Sequence, residues 1–191
     1  MELILASQSP RRRELLGLFR LPFDVRVADI DETMNSEESP YDEVARVSRE
    51  KALAVSRQAD DVVIAADTIV VCEGKVLGKP HTPQEAVQML RLLSDRNHQV
   101  MTGMTVVRGE RMISCTEVTD IHFRELSEKE IAAYVATGEP MDKAGAYGIQ
   151  GGAALFAEKM VGDYYNVMGL PVCRLGQTLK AVAPDMMEEI L

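Results

Sequence analysis

Asp67 interrupts the run from Val62 to Cys72, which is otherwise apolar or hydroxyl-bearing. A charge inside a central strand costs several kcal/mol unless it is paired or metal-bound. One reading is a strand-end salt bridge. The other is a catalytic or metal-ligating carboxylate at a sheet edge. Arg11, Arg12 and Arg13 follow Ser9-Pro10, which has the form of a helix start with Ser as cap and Pro first. Cations are disfavoured there, because the helix N-terminus carries partial positive charge. At about 100° per residue, Arg12 lies roughly 40° and Arg11 roughly 60° from the centre of the side marked by Leu15, Leu16, Leu18 and Phe19, and Arg13 about 140° away. Arg13 is then a solvated charge, whereas an inward guanidinium needs an anion. That anion is an internal carboxylate or a phosphate held with the helix N–H groups.

Lys51 falls within the apolar stripe Val44, Val47 and Val55. It either snorkels to solvent or aims from the helix face into a cleft. Gly78-Lys79-Pro80 is not a P-loop, since the spacing from Gly74 is one residue short and Pro stands in place of Ser or Thr. Pro80 holds Lys79 extended. Lys79 is a second charge for a polyphosphate or a loop lysine, and the sequence alone favours the loop lysine. Asp29, Asp31 and Glu32 form a solvated acidic loop or hold a divalent metal; magnesium needs only one or two carboxylates plus phosphate oxygens. The segment from Asp142 to Gly152 has four glycines in eleven residues, which lets backbone approach a ligand closely. Within it, Gln150 offers a donor and an acceptor suited to the edge of a base. His81, His98 and His122 have no zinc spacing, and no nucleophile motif points to covalent catalysis.

Several elements must position these groups. Strands are expected at 2–6, 23–27, 61–72, 98–108 and 111–123, with shorter ones at 153–160 and 164–168. Helices are expected at 10–19, 41–57, 83–93, 127–136 and 171–182, and a Gly-rich loop at 142–152. That order gives an α/β fold around a mixed sheet. The 191 residues suit one domain, or two lobes sharing a cleft. A net charge of -9 argues against duplex nucleic acid as partner, so any anion site must be a local basic pocket. Cys72, Cys115 and Cys173 make an odd count without CxxC, consistent with buried free thiols in a reducing compartment. Leu3-Ile4-Leu5-Ala6 is too short for a signal or membrane segment. A cytoplasmic protein is expected.

Taken together, the segments Ala6-Ser7-Gln8-Ser9-Pro10-Arg11-Arg12, Ile30-Asp31-Glu32-Thr33, Glu50-Lys51-Ala52, Ala65-Ala66-Asp67-Thr68, Gly78-Lys79-Pro80 and Asp142 to Gly151 resemble the Maf family of nucleoside triphosphate pyrophosphatases, in the family's order and across almost the whole chain. The resemblance implies a fold similar to the inosine triphosphate pyrophosphatases: an elongated mixed sheet with two lobes and a central cleft, formed by residues 1–191 as a single domain. It implies hydrolysis of a nucleoside triphosphate to monophosphate and pyrophosphate with a divalent metal, Mg2+ or Mn2+. Carried over residue by residue, Asp67 is the proton acceptor or metal-linked base. Ser7, Arg12, Lys51 and Lys79 hold the triphosphate, and Glu32 helps position the metal. Arg11, Thr68 and Gln150 match the subgroup acting on dTTP and UTP; the 7-methyl-GTP subgroup carries a different trio. Two departures bear on pocket shape: Ala66 where Gly is common, and the spacing Gly151-Gly152-Ala153. The alternatives are the same chemistry on 7-methyl-GTP or another modified nucleotide, and a non-catalytic regulator of septum formation, the role behind the family's name. The resemblance also implies a homodimer.

Overall fold

Three helices begin on the same local signal. Ser9-Pro10, Ser39-Pro40 and Thr82-Pro83 each place a hydroxyl at the cap and Pro at the first helical position, and each hydroxyl accepts an N–H from the first turn. The computed structural model describes residues 1–27, 29–30, 37–55 and 57–188. Along the chain run β1 (Leu3–Leu5), α1 (Pro10–Gly17), β2 (Asp24–Val25), α2 (Pro40–Ala54), β3 (Val62–Cys72), β4 (Lys75–Leu77) and α3 (Pro83–Leu93). They are followed by β5 (Asn97–Arg108), β6 (Arg111–Phe123), α4 (Glu128–Ala136), β7 (Ala157–Val161), α5 (Tyr164–Met168), α6 (Val172–Val182) and α7 (Pro184–Met187). The strands form a mixed sheet in the order β2-β1-β3-β5-β6-β7, with β4 also paired to β3. β1 is parallel to β2 and β3, whereas β4 and β7 join antiparallel.

The chain divides into two compact units. The first comprises Met1–Asp67, Thr102–Glu117 and Gly169–Leu191. Its core includes Ile4, Ala6, Val63, Ala65 and Val107, with Ala52 of α2 packed among them. α2 approaches β5 so closely that a Cβ on Gly103 would lie 2.0 Å from the Val44 carbonyl oxygen. The hydroxyls there satisfy one another: buried Ser48 Oγ and Thr105 Oγ1 are 2.7 Å apart, and Thr105 Oγ1 and the half-buried Ser114 Oγ 2.8 Å. The second unit comprises Thr68–Met101 and Val118–Met168. Its core gathers Leu90 and Leu93 of α3 with Phe123, Tyr134, Tyr147 and Phe156. Among the described residues no helix is long and apolar enough to cross a membrane.

Several expectations need correction. α1 ends at Gly17, and Leu18 is exposed rather than part of the buried side. Residues 164–168 form helix α5, not a strand, despite two tyrosines and a valine. Asp163 Oδ1 accepts N–H bonds from Tyr165 and Asn166, a side-chain cap that overrides the weak β preference. The strand expected from 153 begins only at Ala157, after a 3-10 turn at Gly152–Leu155. The Gly-rich loop is likewise ordered by 3-10 turns at Glu139–Asp142 and Ala144–Ala146. α7 was not expected. Of the three free cysteines only Cys72 is buried, and Cys173 is exposed.

Candidate active site

β1 leaves the sheet at Ala6, whose N–H bonds the Ile64 carbonyl at 2.8 Å. The next residue, Ser7, is nearly buried. Its hydroxyl accepts from the Ser9 amide at 3.2 Å and from Arg12 Nη1 at 3.4 Å. Arg12 Nε donates to the Gly169 carbonyl at 2.7 Å. Gly169 was not singled out by sequence; its φ of 111° requires glycine. Arg11 and Arg12 are half-buried and Arg13 is exposed, as the helical phase predicts.

Lys51 does not snorkel. It is buried, as are Val47 on the same helix and Val55 at its C-cap, and its Nζ donates to Asp67 Oδ1 at 2.7 Å. The two side chains keep 11% and 18% of their surface, so the pair is shielded while the carboxylate remains reachable. Among the described residues the second oxygen of Asp67 takes no hydrogen bond. Asp67 is at neither a strand end nor the sheet edge, because β3 lies between β1 and β5. Yet β3 pairs with β1 only as far as Ile64 and with β4 only from Val70, so Asp67 falls where, among the described residues, one flank of the strand is unpaired. The parallel register Leu5↔Ile64 places Ser7 and Asp67 beyond the same end of the paired strands, where α/β sheets bind ligands. A pocket of about 320 Å³ lined by Glu2, Leu3, Phe23, Asp24 and Asp185 is at the opposite, amino-terminal end of β1 and contains none of these residues.

Thr68, Lys79 and Gln150 belong to the second unit. Thr68 follows Asp67 on β3 and is half-buried, whereas Lys79 and Gln150 are exposed. The Gly145 amide bonds the Gly78 carbonyl at 3.0 Å, bringing the Gly-rich loop to the segment that carries Lys79. Gly145 has φ 70°, and its absent Cβ would meet Val70 Cγ2 at 2.8 Å. Behind this loop, His98 Nε2 and the Tyr147 hydroxyl are 2.8 Å apart. Burial lowers the His98 pKa to about 4, so the ring is neutral, and burial raises that of the Tyr147 phenol. Sequence patterning missed this pair and also Glu139 and Tyr134, because no spacing rule links residues of such different types. Glu32, expected near the metal, lies outside the described residues, as does Asp31. Among the described residues no group of three potential metal ligands occurs.

The profile of the Maf-like protein family matches residues 2–182. The chain belongs to that family. The dTTP/UTP pyrophosphatase of Bacillus cereus (strain B4264) is 47% identical to this Maf-like protein over 186 residues, covering 97% of each chain. The dTTP/UTP pyrophosphatase of Bacillus anthracis is also 47% identical, again over 97% of each chain. A solved HAM1 protein from Coxiella burnetii superposes with a TM-score of 0.51 at 17% identity, covering 95% of this Maf-like chain and 99% of the other. That likeness shows a shared mixed α/β fold.

Proposed function

We propose that this Maf-like protein hydrolyses dTTP and UTP to the monophosphate and pyrophosphate, clearing nucleotides from the pool. The observation that carries the proposal is the near-full-length identity to dTTP/UTP pyrophosphatases. The Lys51–Asp67 pair supplies a chemistry consistent with it. A water molecule attacks the α-phosphorus, its proton passes to Asp67, the α–β anhydride bond breaks and pyrophosphate leaves. Ser7, Arg12, Lys51 and Lys79 hold the phosphates. Arg11, Thr68 and Gln150 select the base.

A divalent metal belongs to the same proposal. Asp67 has one oxygen unused among the described residues, which fits a hard cation whose remaining ligands are phosphate oxygens, water and Glu32. When bound, Mg2+ or Mn2+ would neutralise phosphate charge. A cytoplasmic homodimer completes the picture.

The test is a panel of dTTP, UTP, CTP, GTP and 7-methyl-GTP with separate detection of pyrophosphate and orthophosphate. Pyrophosphate is expected from dTTP and UTP in preference to the others. Asp67→Asn is expected to lower the rate about 10²–10⁴-fold, the range for a lost general base, while the fold survives. Release of orthophosphate, or a preference for 7-methyl-GTP, would overturn the assignment.

A further inference from the structure

Gly148 to Gly151 forms a β-turn, closed by the Gly151 amide donating to the Gly148 carbonyl at 3.1 Å. Ile149 and the exposed Gln150 occupy its corners. Two side chains from outside the turn hold its ends. The Gly148 amide donates to the Tyr134 phenol oxygen at 3.0 Å, and the Tyr134 hydroxyl donates to Glu139 Oε1 at 2.9 Å. The Gly152 amide donates to Glu139 Oε2 at 3.2 Å. Both tethers therefore end on one carboxylate. Burial raises the Tyr134 pKa, so the phenol keeps its proton and remains a donor. The Glu139 backbone is itself held by Lys143 Nζ, which reaches the Glu139 carbonyl at 2.7 Å.

The glycines are needed for this contact. A Cβ on Gly151 would lie 2.1 Å from Glu139 Oε1, and one on Gly148 would lie 2.7 Å from Lys143 Cε. The close approach expected toward a ligand is here an approach to the protein's own side chains. A carboxylate accepts from both groups at once and does so with a full charge. In Glu139→Gln the amide oxygen can serve the Gly152 N–H only if the NH₂ group faces the Tyr134 oxygen, which already accepts the Gly148 N–H, so the charged acceptor is lost and the Tyr134 tether is weakened although the size is kept.

We propose that Glu139 and Tyr134 are positioning residues for base selection, tying both ends of the 148–151 turn so that the Gln150 amide is presented in one orientation. This rests on the base-reading role of Gln150 proposed above. The test compares wild type, Glu139→Gln, Tyr134→Phe, Gln150→Ala and the double variant Glu139→Gln/Gln150→Ala, with steady-state kinetics on UTP, dTTP and GTP and a melting curve for each. Glu139→Gln and Tyr134→Phe are expected to lower the pyrimidine-over-GTP ratio of kcat/KM roughly tenfold, the scale of a small misplacement, through KM rather than kcat. Adding Glu139→Gln to Gln150→Ala should lower the ratio no further. If both positioning variants melt lower but keep the ratio, their role is structural and the proposal is overturned. If Gln150→Ala alone keeps the ratio, the base-reading role of Gln150 fails and takes the proposal with it. Tyr134→Phe removes only a hydroxyl, so it keeps the test decisive should Glu139→Gln not fold.

Discussion

Lys51 and Asp67 were each anomalous in the sequence, and each resolves the other: an ammonium within an apolar stripe and a carboxylate within an apolar strand meet at 2.7 Å. Neither anomaly named its partner, because residues sixteen positions apart on a helix and a strand are joined only by packing. Of the two readings, the salt bridge is present, though in mid-strand rather than at a strand end, and the sheet-edge placement is not, since β3 lies between β1 and β5. Arg12 was legible as an inward cation from helical phase, but its bond to the Gly169 carbonyl was not, because a backbone acceptor leaves no mark in residue type. His98 ties the stability of the fold to pH. Its pKa falls from 6.5 to about 4 on burial, so the unfolded chain takes up the proton first. The stability it contributes is complete above pH 6.5 and is lost as the pH falls toward 4. Between pH 7.5 and 5 this should remove roughly 2 kcal/mol of unfolding free energy. Urea unfolding at the two pH values should show a smaller drop in His98→Gln; an equal drop would rule out His98 as its source.

Helix starts were readable because they are local: a hydroxyl, a proline and the first-turn amides lie within four residues. The apolar runs of β3, β5 and β6 were readable for the same reason. Helix α5 was misread because its cap, Asp163, and its anchor, buried Asn166 bonding the Val100 carbonyl at 3.1 Å, outweigh the preferences of its tyrosines. The seat of α2 on β5 was invisible, since Gly103 declares only that a side chain is missing and not what fills the space. It leads to a direct test. Gly103→Ala forces a methyl against the α2 backbone and should cost about 1–3 kcal/mol, typical of overpacking. It should also slow pyrophosphate release, because α2 carries Lys51. Gly17→Ala is the control: a Cβ there meets nothing within 4 Å, and alanine in a helix should be neutral or stabilising by up to about 1 kcal/mol. Equal melting temperatures for Gly103→Ala and wild type would refute the close-packing argument.

A net charge of -9 opposes a polyanionic substrate, so the binding proposed above relies on local cations and on the proposed metal that travels with the phosphates. Chelation with EDTA is therefore expected to lower pyrophosphate release from dTTP by at least about a hundredfold, consistent with the several kcal/mol a metal contributes to charge stabilisation, and Mg2+ or Mn2+ should restore it. Undiminished turnover in EDTA would remove the metal from the proposal. The sequence by itself determined the mixed α/β class, the order and nearly all the bounds of the long elements, the inward phase of Arg11 and Arg12, and membership of a family whose motifs span the chain. Those features depend on periodicity and on residues close in sequence. Only the tertiary structure decided that Lys51 pairs with Asp67, that Arg12 is anchored on Gly169, and that Glu139 and Tyr134 grip the turn bearing Gln150. Each of these joins atoms from separate elements, and the register of the sheet and the packing of helices on it, rather than any local preference, bring them within bonding distance.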